Sequence, residues 1–323
     1  MFKCFFLYLN TIVLFCHCYC EELDKSGFFA DAAILYWKAN EDGLGFAVES
    51  PSTFKLAPQA KVENPDFEWD FGFKLGLGYR FSHDHWNLLL QFTSFQTHND
   101  REIEAGDHQI LFPLWQKSTL DGPFFANEAK VHWRLHLGLV DLMLSKFYQV
   151  TNTLILIPEI GIRGGSARQK YYLEYRGGSF PASSDEIIHM KNKFFGIGPN
   201  IGLLGQWSWG RGFSLFAKSL LSLLLGEFYV HQDEYLDKEK LLGVHDIFSS
   251  TAAIFEICAG VGWQHCFQGA LRRLALDIRW DQLFCPSQNQ LLHFTNANTP
   301  GVFFANQGDL TISGVEFNMR FDF

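Results

Sequence analysis

His83, Asp84 and His85 stand together in SHDH (82–85), a grouping of imidazole and carboxylate that suits a metal ion or an acid–base pair. His231, Asp233 and Glu234 form a second group of this kind, and Gly196, Gly198 and Gly202 are spaced like a phosphate-cradling loop. None of the three is complete as chemistry. An ion site needs further converging ligands, and the first group sits in a short polar turn. The glycines alternate with large apolar residues and open no helix, so they read as close packing along a wall. No metal set, cofactor site or catalytic residue is predicted. The charges that do recur regularly lie in EWDFGFKLGLGYRF (68–81), where Glu68, Asp70, Lys74 and Arg80 alternate with Trp69, Phe71, Phe73, Leu75, Leu77, Tyr79 and Phe81.

A period of two without a break belongs to a strand, because a helix repeating every 3.6 residues would scatter those rings around its surface. The same pattern returns in FFADAAILYWK (28–38), 85–95, 130–139, 152–163, 191–209, 212–230, 253–263, 274–282 and GVEFNMRFDF (314–323). That makes ten strand candidates, with twelve as the alternative count. With 34 Phe, 9 Trp, 10 Tyr and 28 Gly, yet only 19% charged residues, the chain is rich in aromatics without being oily. Such a balance suits a wall whose alternate residues meet lipid. A net charge of −9 and the absence of a basic stripe with interleaved aromatics argue against a nucleic-acid partner.

The N-terminus, MFKCFFLYLNTIVLFCHCYC, has one lysine, an apolar run and small residues before position 20, the order of parts in a secretory signal peptide (1–20). The run is shorter than the ~20 residues a spanning helix needs. Loss of Lys3, its only charged residue, changes the net charge from −9 to −10. The mature part, 21–323, retains Cys258, Cys266 and Cys285, and an odd number in an exported chain leaves a thiol for an intermolecular disulfide.

The links between candidate strands alternate in length. Short ones fall near 82–85, 145–151, 209–212 and 267–270; long ones are 39–67, 98–127, 176–190, 231–249 and 285–307. With both termini in the periplasm, every long link faces outward, as in outer-membrane barrels of Gram-negative bacteria. Closure follows, because an open sheet edge in hydrocarbon would strand backbone donors and acceptors. The expected fold is an all-β, closed antiparallel transmembrane barrel. Ten strands about 4.8 Å apart and tilted by about 40° give a backbone radius of roughly 10 Å, so any channel is narrow. If the apolar phase faces lipid throughout, the lumen is lined by Glu68, Asp70, Lys74, Arg80, Arg134, Glu159, Arg163, Lys218, Asp277, Arg279 and Arg320. Phe323, ending a lipid-side row in RFDF, has the place of a signal for the barrel assembly machinery.

YWKANEDGLGFA (36–47), FEWDFGFKLGLGYRFSHDHW (67–86), FFGIGPNIGL (194–203), GFSLFAKSLLSLLLGEF (212–228), QNQ (288–290) and RFDF (320–323) resemble the Legionella-type major outer membrane proteins, a family found also as MOMP-like proteins of environmental chlamydiae. The chain departs from them at DLMLSKF (141–147), which is more apolar. The resemblance implies a pore-forming outer-membrane barrel that passes small polar solutes or ions and carries no enzymatic residues. Two other readings remain: a surface adhesin or structural barrel, and an omptin-like barrel protease with His231, Asp233 and Glu234 in an outer loop. A homo-oligomer is compatible with each of them.

Overall fold

The computed structural model describes residues 26–51, 59–82, 86–115, 124–180, 185–267, 272–294 and 302–323. The expected signal peptide (1–20) and the group His83, Asp84 and His85 lie outside the described residues. Ten long strands form the wall: β1 (Gly27–Glu41), β2 (Trp69–Arg80), β3 (Trp86–Glu104), β4 (Glu128–Lys146), β5 (Leu154–Arg176), β6 (Asp185–Gly210), β7 (Phe213–Leu236), β8 (Glu239–Cys266), β9 (Arg273–Asn289) and β10 (Gly308–Asp322). Each pairs antiparallel with the next, and β10 pairs with β1, so the sheet closes on itself. Every strand therefore has both edges occupied, as hydrocarbon demands.

β1 and β10 bring both termini to one end of the barrel, called here the terminal end; the opposite one is the far end. Connections at the terminal end are short, such as the turn Gly210–Gly212 between β6 and β7. The far end differs from the length pattern in the sequence. β7 and β8 run on into a tall hairpin closed by Asp237 and Lys238, both at positive φ, so 231–249 is paired strand and not a long loop. Two residues at positive φ match the twist of a tight hairpin. The strands outrun the apolar band because their upper halves pack against one another in water.

Around the middle of the wall the outward residues are large, apolar and exposed, among them Leu75, Leu77, Leu90, Ile160, Ile197, Leu225, Ile257 and Phe317. Tyr36 stacks on Trp69 at 5.3 Å, and Trp69 meets Trp280 edge-on at 6.1 Å, on the far side of this band. Trp207 and Trp209 mark its terminal side at 5.9 Å from each other. Aromatic girdles at both borders are the mark of a barrel seated in lipid.

Beyond the upper girdle the facing reverses. In β4, Val131, Trp133, Leu135, Leu137 and Leu139 are buried inside the barrel, whereas Val140 and Leu142, one phase later, are exposed to lipid. The apolar phase slips between Leu139 and Val140. The core of the molecule is thus the far half of the barrel interior. It is completed by the link after β1, where Leu44 and Phe46 are fully buried, and by Leu111, Trp115, Leu291 and Leu292 from two other far-end links.

Candidate functional site

The terminal half of the interior is a charged lumen. Lowest in it, Asp322 of β10 accepts from three arginines: Arg80 Nη2 at 2.5 Å, Arg273 Nε at 2.9 Å and Arg320 Nη2 at 3.2 Å. The guanidinium of Arg320 also lies 3.6 Å from the centre of the Phe29 ring. Higher up, Lys74 Nζ is 2.7 Å from Glu316 Oε2 and 3.5 Å from Asp281 Oδ2, reaching across β1 where the register places only Ala33. Arg279 joins the same Glu316, with Asp281 at 3.4 Å and Asp277 at 3.7 Å.

The opposite wall carries a second group. Arg163 grips Asp141 with both prongs, Nε to Oδ1 at 2.5 Å and Nη2 to Oδ2 at 3.0 Å, and also pairs with Glu256 three strands away. Asn200 Nδ2 donates to Asp141 Oδ1 at 3.1 Å. Lys218 reaches Glu159 at 2.6 Å across β6, which presents Gly202 at that level. Gly198 serves the wall differently, since a Cβ there would collide with the Leu223 carbonyl of β7. Pairing of this density keeps each charge tolerable inside a protein, because a buried ion without a partner costs several kcal/mol.

Asp70, Lys74, Arg80, Glu159, Arg163, Lys218, Asp277, Arg279 and Arg320 all face this lumen. Two of the eleven expected residues do not. Glu68 stands one residue before β2, exposed, with its N–H donating to Asn99 Oδ1 at 2.6 Å. Arg134 is exposed on the outside of β4, between the buried Trp133 and Leu135. The reason is the phase slip: above the lipid, apolar side chains turn inward and charges turn out to water. The sequence reading also missed Asp141, whose signal was that same slip, and Arg273, which precedes the alternating run 274–282.

The far half is packed. Tyr171 and Tyr175 of β5 donate their hydroxyls to the carbonyls of Leu44, at 2.5 Å, and Phe46, at 2.6 Å. These bonds hold the link after β1 across the barrel to the other wall. Trp115 Nε1 donates to Gly45 O at 2.6 Å, and Ala47–Ser50 pairs with Ile110–Pro113. Beyond the girdle, Glu41 accepts from Gln169 Nε2 at 3.0 and 3.1 Å; burial pushes its carboxyl up to about 8, and this hydrogen bond offsets only part of the effect.

His231 and Asp233 are 2.9 Å apart on the outward face of the β7–β8 hairpin, where Asp233 also pairs with Lys240, while Glu234 is buried on the inner face. Cys258 and Cys285 are free thiols buried inside the barrel, where neither is presented to a partner chain. Phe323 is half exposed, its N–H donating to Phe28 O at 3.0 Å.

No individually curated protein matches the chain. Among solved structures it is similar to the outer membrane protease OmpT of Escherichia coli, at 10% identity and a TM-score of 0.46, over 92% of this chain and 96% of that one. It is also similar to a FadL homologue of Pseudomonas aeruginosa (12%, TM-score 0.29, 92% and 89%) and to Ail, the attachment invasion locus protein of Yersinia pestis (9%, TM-score 0.27, 93% and 99%). Residues 23–323 match the family described as Legionella pneumophila major outer membrane protein precursor, so the chain belongs to that family and is an outer-membrane barrel protein.

Proposed function

We propose that this barrel is a narrow channel for small polar solutes and ions, with its far end facing outside and closed there in the conformation described. The observation that supports it is the charged lumen at the level of the lipid band. There Lys218, Arg320, Glu256 and Arg279 are paired yet remain partly accessible to solvent from within the barrel. An interior that admits water beside its charges is what passage of polar solutes needs. The cations and acids alternate around the lumen, which favours weak selectivity. Opening requires the link after β1 to leave the barrel mouth, and Tyr171 and Tyr175 hold it there. No enzymatic step and no cofactor is assigned.

A surface adhesin or structural barrel is the second reading, and the packed far half favours it. Planar-bilayer recording under a salt gradient separates the two, using wild type, the double variant Tyr171→Phe/Tyr175→Phe and Lys74→Glu. The double variant is expected to open several times more often than wild type. Lys74→Glu is expected to shift the reversal potential towards cation preference, since wall charges act strongly in a narrow passage. Arg134→Glu, outside the lumen, should leave it unchanged. Folded protein that stays silent in every variant removes the channel and leaves the structural reading.

The proposed partners are outer-membrane lipid and the barrel assembly machinery, with Phe323 as the residue the latter reads. Deleting Phe323 is expected to reduce the amount of heat-modifiable barrel in the membrane fraction; an undiminished amount removes that role.

A further inference from the structure

On the outside of the barrel, just beyond the apolar band, five cations occupy one block of three adjacent strands. One row across the strands is Arg134 of β4, Lys170 of β5 and Lys191 of β6, each directly paired with the next. The row below it is His136, Arg168 and Lys193, in the same strands. Arg134, Arg168, Lys170, Lys191 and Lys193 are exposed, and among the described residues none of them has a carboxylate within ion-pair distance. Acids on this outer face are engaged elsewhere: Asp100 with His132 at 2.6 Å, Asp233 with Lys240 at 2.6 Å, and Glu227 with the Tyr229 hydroxyl at 2.7 Å.

Like charges directly opposite each other destabilise a sheet. A chain of net charge −9 has acids to spare, yet supplies none here. The block measures about 10 Å across, from two strand spacings, by about 7 Å along the strands, which is more than one phosphate needs.

Below it the wall changes character. The next rows place Gly138 and Ser166 beside Phe195, and Val140 and Gly164 beside Ile197. A Cβ at Gly164 would meet nothing within 4 Å, so the surface is recessed there. Phe195 and Ile197, 66% and 59% exposed, border the recess. A cationic block above a shallow apolar recess fits a molecule with an anionic head and acyl chains.

We propose that this face binds one phosphorylated glycolipid of the outer leaflet, its phosphates on Arg168, Lys170 and Lys193 and an acyl chain along the recess at Gly164. Charge-assisted bonds from guanidinium and ammonium groups are the usual means of holding phosphate. The site rests on the far end facing outside, but not on the channel reading, and conductance does not bear on it.

The test uses refolded full-length protein in zwitterionic detergent with bis-phosphorylated lipid A, read by native mass spectrometry and thermal unfolding. Wild type is expected to retain one lipid A and to gain unfolding temperature from it. The triple variant Arg168→Ala/Lys170→Ala/Lys193→Ala is expected to bind at least tenfold more weakly. Without lipid it should unfold at the same temperature as wild type or higher, because a like-charge repulsion is gone. Gly164→Leu, which fills the recess and keeps every charge, should also weaken retention. Equal retention by wild type and the triple variant overturns the site, as does equal binding of dephosphorylated lipid A. Preference for phosphatidylglycerol over lipid A overturns the assignment to the outer leaflet, and a second copy of the chain bound in place of lipid A overturns the ligand.

Discussion

The two halves of the barrel are built from the same alternating strands and use them in opposite senses. In the terminal half, Leu75 and Leu77 face lipid while Lys74 pairs with Glu316 inside. In the far half, Trp133 and Leu135 are buried inside while Arg134 is exposed. A period of two states only that a segment is a strand with two unlike faces; the solvent on each side decides which face turns in. Where the outside is hydrocarbon, the interior takes the charges, and they must pair. Where the outside is water, the interior becomes an ordinary core, and links between strands are drawn into it.

The sharpest way to break this comparison is to add a cation to the outer face of one half and remove one from the outer face of the other. Leu75→Arg sets a guanidinium in the lipid band and is expected to cost about 2–4 kcal/mol near the midplane. Arg134→Leu removes a guanidinium from the watery surface above it and should change stability by less than about 0.5 kcal/mol, in keeping with exposed sites that make no special contact. Unfolding of both variants in denaturant, after refolding into lipid, measures the difference. Similar losses would mean that Arg134 and Leu75 meet the same surroundings, and the division of the barrel into two halves would fall.

The strands themselves were legible, because alternation survives the change of solvent: each of the ten runs identified by period lies within or overlaps a barrel strand. Their closure was legible too, from the chemistry of a sheet edge in lipid. The lumen was legible only where the lipid phase holds. Nine of the eleven expected residues face it, and the failure at Arg134 lies beyond the phase slip at Leu139 and Val140, two consecutive apolar residues that signal the change. Asp141 was missed for the same reason. The plug was not legible, since Leu44, Phe46, Leu111 and Trp115 lie in links with no regular period, and their burial depends on the space that the barrel encloses. Likewise, 231–249 lacks clean alternation because both faces of the tall hairpin are partly wet, so it reads as a loop although it is paired except at its tip and at a bulge at Leu241.

A smaller effect refines the comparison from the far half. Glu41 is an acid in the core side of the divide, held by Gln169 and not by a cation, and burial raises its carboxyl from 4.5 to about 8. The raised value means that the folded plug favours the protonated acid. Its contribution is therefore complete below the unfolded value near 4.5, declines as pH rises, and is fully lost once pH passes about 8. The plug should loosen across that window. Hydrogen exchange reports this directly at the amide of Phe46, which donates to Glu63 O at 2.9 Å. After correction for intrinsic base catalysis, its exchange is expected to quicken several-fold between pH 5 and pH 8 in wild type. In Glu41→Gln, an amide of the same shape that does not ionise, the correction should account for the whole pH dependence. Identical pH profiles in wild type and Glu41→Gln would show that Glu41 does not couple to the plug.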